Sequence, residues 1–221
     1  VSKIKDLEIR HFLSFVTPRP TDQRGACVRT LVLASSSPYR GALLRRLGLE
    51  FETRQPDIDE SPLPDESGEA LVLRLSLKKA EMAASIFPDA LIIGSDQVGI
   101  LGGTMLNKPG SIEQACRQLR AASGREVRFL TGLTVLDTAS GQSRSSVEIC
   151  TVEFRELTDK AILDYVERER PLDCAGSFKI EGLGIALFRR VAIEDPTALE
   201  GLPLIRLTEF LGLFGLPVLA A

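Results

Sequence analysis

Thr30-Leu31-Val32-Leu33-Ala34-Ser35-Ser36-Ser37-Pro38-Tyr39-Arg40 is an apolar run followed at once by three hydroxyls, a proline and an arginine. The run reads as a short buried strand. Pro38 reads as the first residue of a helix, because its fixed φ suits that position and its missing N–H is not needed there. A strand that passes directly into a helix opens an alternating α/β arrangement. The same junction can hold phosphate: unpaired N–H groups and the positive end of the helix dipole attract an anion, and Arg40 adds a fork of donors. An ordinary serine cap uses the same residues, so the stretch from Ser35 to Arg40 alone leaves both readings open.

Working outward, the alternation continues. A helix is expected over 38–47, closed by Gly48, then a strand over 49–54 and a loop over 56–68 rich in Pro, Asp, Glu and Ser. A helix over 69–86 follows, then the apolar strand Ala90-Leu91-Ile92-Ile93-Gly94 and a turn around Gly102-Gly103. Beyond it come a helix near 111–121 and two long β segments near 126–137 and 144–155 joined through Ser140-Gly141. A helix over 159–168 stops before Pro171, and the tail carries a glycine-rich stretch at 176–184, an apolar segment at 184–193 and a last helix after Pro203. Long antiparallel partners inside an alternating chain predict a mixed sheet. Upstream, residues 1–29 lack periodicity and contain Pro18 and Pro20, so a poorly ordered extension is expected there and the domain proper over 30–221.

Composition narrows the chemistry. The 221 residues are 44% hydrophobic and 26% charged, the balance of a single globular domain. The net charge of −3 leaves no electrostatic footprint for a nucleic-acid polymer, while a local basic pocket for a small polyphosphate remains compatible with it. No run approaches the roughly 18 apolar residues of a membrane span and no signal-peptide pattern opens the chain, so a cytoplasmic location is expected. The cysteines 27, 116, 150 and 174 are scattered, which suggests neither a zinc site nor a disulfide framework. With His11 the single histidine, catalysis would rest on carboxylates, lysines or a bound metal.

Several residues are candidates for that chemistry. On the 69–86 helix, Val72, Leu75, Ala83 and Ile86 share one face and Arg74, Lys78, Glu81 and Ser85 the opposite, solvated one. Lys79 falls on the apolar face, where its amine either snorkels to the surface or reaches a cleft. Asp96 follows the apolar strand 90–94, near where ligand sites gather in α/β sheets, as an ordinary turn residue or as a group that activates water or binds a cation attached to phosphate. Asp57, Asp59 and Glu60 form an acidic loop, of which one member could meet a metal. Lys108 and Lys179 lie in turns, and Glu181 stands among Gly176, Gly182 and Gly184, which either admit a ligand to the backbone or serve tight turns.

Taken in order, Leu31 to Arg40, Asp59-Glu60, Lys79-Ala80, Gly94-Ser95-Asp96-Gln97, Lys108-Pro109, Cys174 to Gly182 and Gly201-Leu202-Pro203-Leu204 resemble the Maf family of nucleoside triphosphate pyrophosphatases over about residues 30 to 215. The resemblance implies an inosine-triphosphatase-like α/β fold, with a mixed, twisted central sheet flanked by helices and a deep nucleotide cleft. It also implies hydrolysis between the α and β phosphates and dependence on a divalent cation, Mg²⁺ or Mn²⁺. Carried over, Asp96 is the catalytic carboxylate and proton acceptor, with Lys79 as its catalytic partner. Ser35, Arg40, Lys79 and Lys108 are phosphate-site residues, Lys179 a further substrate residue, and Glu60 with Asp96 the metal-side carboxylates.

Tyr39, Gln97 and Glu181 resemble the branch of this family that hydrolyses 7-methyl-GTP, where the dTTP/UTP branch has Arg, Thr and Gln. A 7-methylated purine is cationic, so Tyr39 would stack on it and Glu181 attract it. The expected function is conversion of 7-methyl-GTP to 7-methyl-GMP and pyrophosphate, keeping a modified nucleotide out of nucleic acid. The alternatives are dTTP/UTP or broad nucleotide pyrophosphatase activity, or a non-catalytic nucleotide-binding regulator of cell division. The partners expected are a nucleoside triphosphate, no nucleic-acid polymer, no membrane, and at most a second copy of the chain as a homodimer.

Overall fold

The computed structural model describes residues 29–219. The chain runs β1 (Thr30–Ala34), α1 (Pro38–Arg45), β2 (Glu52–Thr53), α2 (Gly68–Ala84), β3 (Ala90–Leu101) and β4 (Thr104–Leu106). It continues α3 (Ile112–Ala122), β5 (Glu126–Asp137), β6 (Ser143–Phe154), α4 (Asp159–Glu169), β7 (Phe188–Ala192) and α5 (Leu204–Leu213). Serine or threonine caps open four of the helices: Ser37, Ser67, Ser111 and Thr158 each accept from a backbone N–H three residues on.

The strands form one mixed sheet in the order β2-β1-β3-β5-β6-β7, with β4 paired to β3. β1 is parallel to β2 and β3, whereas β3, β5, β6 and β7 pair antiparallel in succession. The mixed α/β architecture is therefore as expected from the pattern. Odd-numbered residues of β1 and β3 (Leu31, Leu33, Leu91, Ile93) pack against α1 and α5. Even-numbered ones (Val32, Ala34, Ile92) pack against Ala80 and Ala83 of α2. A third cluster joins α3 and α4 to β5 and β6 around Phe129, Phe154 and Phe178.

Two strands differ from the sequence expectation, and the difference shapes the cleft. The strand expected over 49–54 shrinks to Glu52 and Thr53, an exposed edge pair beside Val32 and Leu33. The strand expected to end at Gly94 runs on to Leu101. β1 stops pairing at Ala34 opposite Gly94, but β5 continues to pair with β3 as far as Ile100 and Arg128, and those ladder bonds sustain the strand through polar Ser95-Asp96-Gln97. Asp96 thus lies within β3 opposite Gly132, not after it. Ile86, placed by periodicity on the apolar face, falls beyond the end of α2 and is 45% exposed.

Glycines at the two sheet positions under α2 let the helix lie flush. A Cβ on Gly94 would stand 2.0 Å from Ser76 O, and one on Gly132 would stand 2.3 Å from Val72 O. Arg29, counted with the extension, belongs to the fold: it donates to Asp137 and, at 3.4 Å, to Phe214 O. The remainder of the expected extension, with His11 and Cys27, lies outside the described residues. Cys116, Cys150 and Cys174 are free thiols. No helix among the described residues is long and apolar enough to cross a membrane.

Candidate active site

Because β1 ends while β3 continues, both faces of β3 open into one cleft at Asp96 and Gln97. The cleft encloses about 710 Å³ and is walled by the β1–α1 junction, the loop before α2, the turn at Lys108 and the segments around Glu181 and Glu200. That volume suits a nucleotide-sized ligand.

On the α2 side stands a charge cluster. Even-numbered Asp96 faces the helix, and the flush packing over Gly94 brings Lys79 onto it: Nζ donates to Asp96 Oδ1 at 2.6 Å and stands 2.7 Å from Glu60 Oε1. Lys79 is only 4% exposed, so the second of the two readings left open by its helical position is the observed one. A buried ammonium is costly unless carboxylates compensate it, and two do so here. Burial pushes the Glu60 carboxyl up, but the Lys79 hydrogen bond and the charges of Lys79, Lys108 and Arg40 outweigh this and hold it below its usual value.

Arg40 and Ser35 reach this cluster from the β1–α1 junction, on the other face of the sheet, and the Arg40 guanidinium feels the charges of Asp96 and Glu60. Ser37, not Ser35, caps α1, accepting from Arg40 N at 3.4 Å. Ser35 Oγ accepts from Ser37 N at 3.1 Å and from Arg40 Nη1 at 3.4 Å, and Arg40 Nε donates to Gly201 O at 2.8 Å. The guanidinium is thereby aimed with one nitrogen, Nη2, not engaged in these bonds. Burial lowers its pKa, against the pull of Asp96 and Glu60. The serine cap and a guanidinium aimed into the cleft occur together in this junction.

The donor set also bears on a divalent cation. Glu60 and Asp96 converge on a single ammonium and supply hard carboxylate oxygens of the kind Mg²⁺ or Mn²⁺ takes. Among the described residues no group of three or more His, Cys, Asp or Glu could hold a metal by itself. Two carboxylates completed by phosphate oxygens are the usual Mg²⁺ arrangement at nucleotide sites, so these residues fit that ion.

The opposite wall is aromatic and acidic. Tyr39, Asp173, Cys174, Glu181 and Glu200 line it. Burial, together with the Glu200 and Glu169 carboxylates, pushes the Glu181 carboxyl above its ordinary value. Phe178, edge-on to Phe129 and Phe188 at 5.0 and 4.9 Å, anchors the segment that carries Glu181. Odd-numbered Gln97 faces this wall, and its Nε2 donates to Thr131 Oγ1 at 3.0 Å, Ala198 O at 3.0 Å and Leu199 O at 3.2 Å. Carbonyls only accept, so the amide's orientation is settled and what Gln97 can offer a base is its Oε1 acceptor.

The structure brings Ser35, Tyr39, Arg40, Glu60, Lys79, Asp96, Gln97, Lys108 and Glu181 to one cleft. Lys179 is not among the lining residues. Its ammonium sits 5.9 Å from the centre of the Tyr39 ring and donates to Glu169 O at 3.0 Å. The nearby glycines also serve packing: a Cβ on Gly176 would meet the Phe129 ring and one on Gly184 would meet Lys179 O. Asp59 accepts from Ser61 N within its own loop. Burial pushes the Cys174 thiol up to about 12, which removes it as a nucleophile.

Sequence reasoning missed Glu200 and Arg74. Glu200 lines the cleft and is held by Arg46 Nη2 at 2.8 Å. Arg74, read as solvated, is 17% exposed and paired with Glu66. No local signal distinguishes either from an ordinary surface charge.

The sequence model of the Maf-like protein family matches residues 30–214. A protein of Nitrosococcus oceani named 7-methyl-GTP pyrophosphatase is 56% identical over 86% of this chain and 96% of its own length. One of Pseudomonas aeruginosa with the same name is 57% identical over 82% and 94%. Among solved structures, the Staphylococcus aureus Ham1 protein is similar with a TM-score of 0.43 at 14% identity, over 71% of this chain and 90% of that one.

Proposed function

The chain belongs to the Maf-like protein family, and from that membership we infer that it is a pyrophosphatase converting 7-methyl-GTP to 7-methyl-GMP and pyrophosphate. In the cytoplasmic nucleotide pool this removes a modified nucleotide before it can enter nucleic acid. The observation that carries the reading is the polarity of the cleft. Arg40, Lys79 and Lys108 gather around Asp96 and Glu60, whereas the same cleft is lined by Glu181 with Glu200 acting on it and by Asp173 acting on Tyr39, three carboxylates set against the one ammonium of Lys179. A substrate with a polyanionic tail and a cationic base complements both clusters.

In this reading the triphosphate lies against Ser35, Arg40, Lys79 and Lys108, whose charges offset those of the phosphates and of the departing pyrophosphate. Asp96 orients a water and takes its proton as the water oxygen bonds to phosphorus and the α–β anhydride bond breaks. The proton ends on the Asp96 carboxylate, and pyrophosphate carries away the bridging oxygen with its electron pair. Glu60 and Asp96 would hold a divalent cation, which when bound supplies charge neutralisation of the phosphate oxygens. Lys79 keeps both carboxylates in place. Tyr39 stacks on the base while Glu181 and the Gln97 carbonyl accept from the guanine N1–H and amino group.

The test is pyrophosphate release from purified protein with 7-methyl-GTP, GTP, dTTP and UTP, with and without Mg²⁺ or Mn²⁺. Release from 7-methyl-GTP should dominate. Asp96→Asn should lower it by about 10³-fold or more while the protein remains folded by circular dichroism at the assay temperature. Comparable turnover of dTTP would overturn the substrate, and an active Asp96→Asn protein would overturn the mechanism.

A further inference from the structure

Lys79 and Asp96 are set by a helix and a strand, but Glu60 comes from the segment 54–67, which has no helix or strand and is exposed along most of its length. What fastens this segment is Arg74 of α2. Its Nε donates to Glu66 Oε1 at 2.6 Å, and Nη2 donates to Glu66 Oε2 at 2.7 Å and to Ser61 O at 3.0 Å. Glu66 Oε2 accepts in addition from Leu63 N at 3.0 Å. A planar guanidinium thus closes a two-bonded fork on a carboxylate that is 8% exposed and reaches the carbonyl of the residue next to Glu60. The guanidinium holds the Glu66 carboxyl down at about 2, so the clamp stays ionic at neutral pH.

We propose that the Arg74–Glu66 clamp is a positioning device for the reaction: by fixing the Ser61–Glu66 segment to α2 it holds Glu60 against Lys79 and Asp96, in the geometry that receives the cation and the phosphates. The proposal rests on the reading of Glu60, Lys79 and Asp96 as the catalytic cluster. Arg74 and Lys79 share one helix, so the clamp and the ammonium it serves move as a unit. The clamp acts through Glu60 and touches no part of the base-reading wall. Its loss should therefore weaken cation use without changing which nucleotide is preferred, whereas a staple that served stability alone would shift only the melting temperature.

The experiment compares Arg74→Gln and Glu66→Gln with the unaltered protein in two ways. Without metal or nucleotide, hydrogen exchange over residues 55–67 should speed up by about tenfold or more while residues 75–84 of α2 stay protected. With 7-methyl-GTP, the Mg²⁺ or Mn²⁺ concentration for half-maximal pyrophosphate release should rise by about tenfold, with the ratio of 7-methyl-GTP to GTP turnover unchanged. Arg74→Lys, which keeps the charge and loses the fork, should fall between. In a Glu60→Gln background, adding Arg74→Gln should change turnover by less than about twofold, because the two act on one element. Unchanged exchange over 55–67, a cation requirement equal to that of the unaltered protein, or fully additive loss with Glu60→Gln would each overturn the clamp. If the unaltered protein releases no pyrophosphate, the enzymatic reading falls, and the exchange measurement still decides whether Arg74 holds the loop.

Discussion

Replacing Gly94 by alanine tests how the site is assembled. Gly94 is the last β3 residue beside β1, and α2 crosses it so closely that an added methyl carbon would stand 2.0 Å from Ser76 O and 3.1 Å from Ala80 N. Both are backbone atoms, so no rotamer change makes room. The helix must lift by about 1 Å before the shorter contact reaches 3.0 Å, below which real Cβ atoms essentially never come. Lys79 lies between Ser76 and Ala80 in the chain and rides with them, so its 2.6 Å contact with Asp96 and 2.7 Å contact with Glu60 are strained together. Overpacking against backbone belongs at the upper end of its usual range, about 3 kcal/mol. For a domain of this size that lowers the melting temperature by about 6–12 °C. A shift of about 1 Å in a catalytic group costs about 10²-fold in turnover. Thermal unfolding and pyrophosphate release measured on one preparation check both figures. A melting temperature within about 2 °C of the parent together with turnover within about threefold would refute the claim that the glycine seats α2 and its lysine on the catalytic strand.

Two further outcomes are expected. Glu181→Gln should lower the preference for 7-methyl-GTP over GTP by roughly three- to tenfold, an unscreened charge being worth about that across a half-buried cleft. Burial and the facing carboxylates raise the Glu181 pKa, so in the parent the preference should be full well above the usual carboxylate range and decline as falling pH protonates the group. A preference equally strong in the glutamine variant, or one that rises on acidification, would contradict that role. Gln118→Leu should cost about 2–3 kcal/mol in denaturant unfolding, because buried Ser177 Oγ, at 2.5 Å, and Asn107 O, at 2.9 Å, both lose their partner. Since Asn107 precedes Lys108, KM should rise for every nucleotide alike, and an unchanged unfolding midpoint would show that the bridge is dispensable.

Most helices and long strands were legible because their signals are local. The helix 159–168 and the observed Asp159–Glu169 differ by one residue, and the last helix expected after Pro203 is Leu204–Leu213. The residues of the Maf resemblance, from Ser35 to Glu181, were legible as a set of chemical types in order. What was illegible shares one feature: it depends on a distant partner. β2 was overestimated because Leu49 and Phe51 pack into the core beside α1 and α5 while only Glu52 and Thr53 pair with β1, and β3 was underestimated because β5, some 30 residues on in the chain, carries it past Gly94. Lys179, expected like Lys108 to be a turn lysine at the substrate, does not line the cleft; its amine is held by Glu169 O near the Tyr39 ring.

Local pattern sufficed for the alternating elements, the helix starts and most of the residues that line the cleft, because period 2, period 3.6, proline and serine caps act over a few residues of backbone. Long-range packing is what puts Asp96 inside a strand, makes Lys79 bridge it to Glu60, engages the Gln97 amide with the 198–199 carbonyls, and lets Arg74 grip the loop. Those meetings follow from sheet register and from the close seating of α2 over Gly94 and Gly132, and side-chain contacts between segments far apart in the chain are set by that packing, which no local pattern encodes.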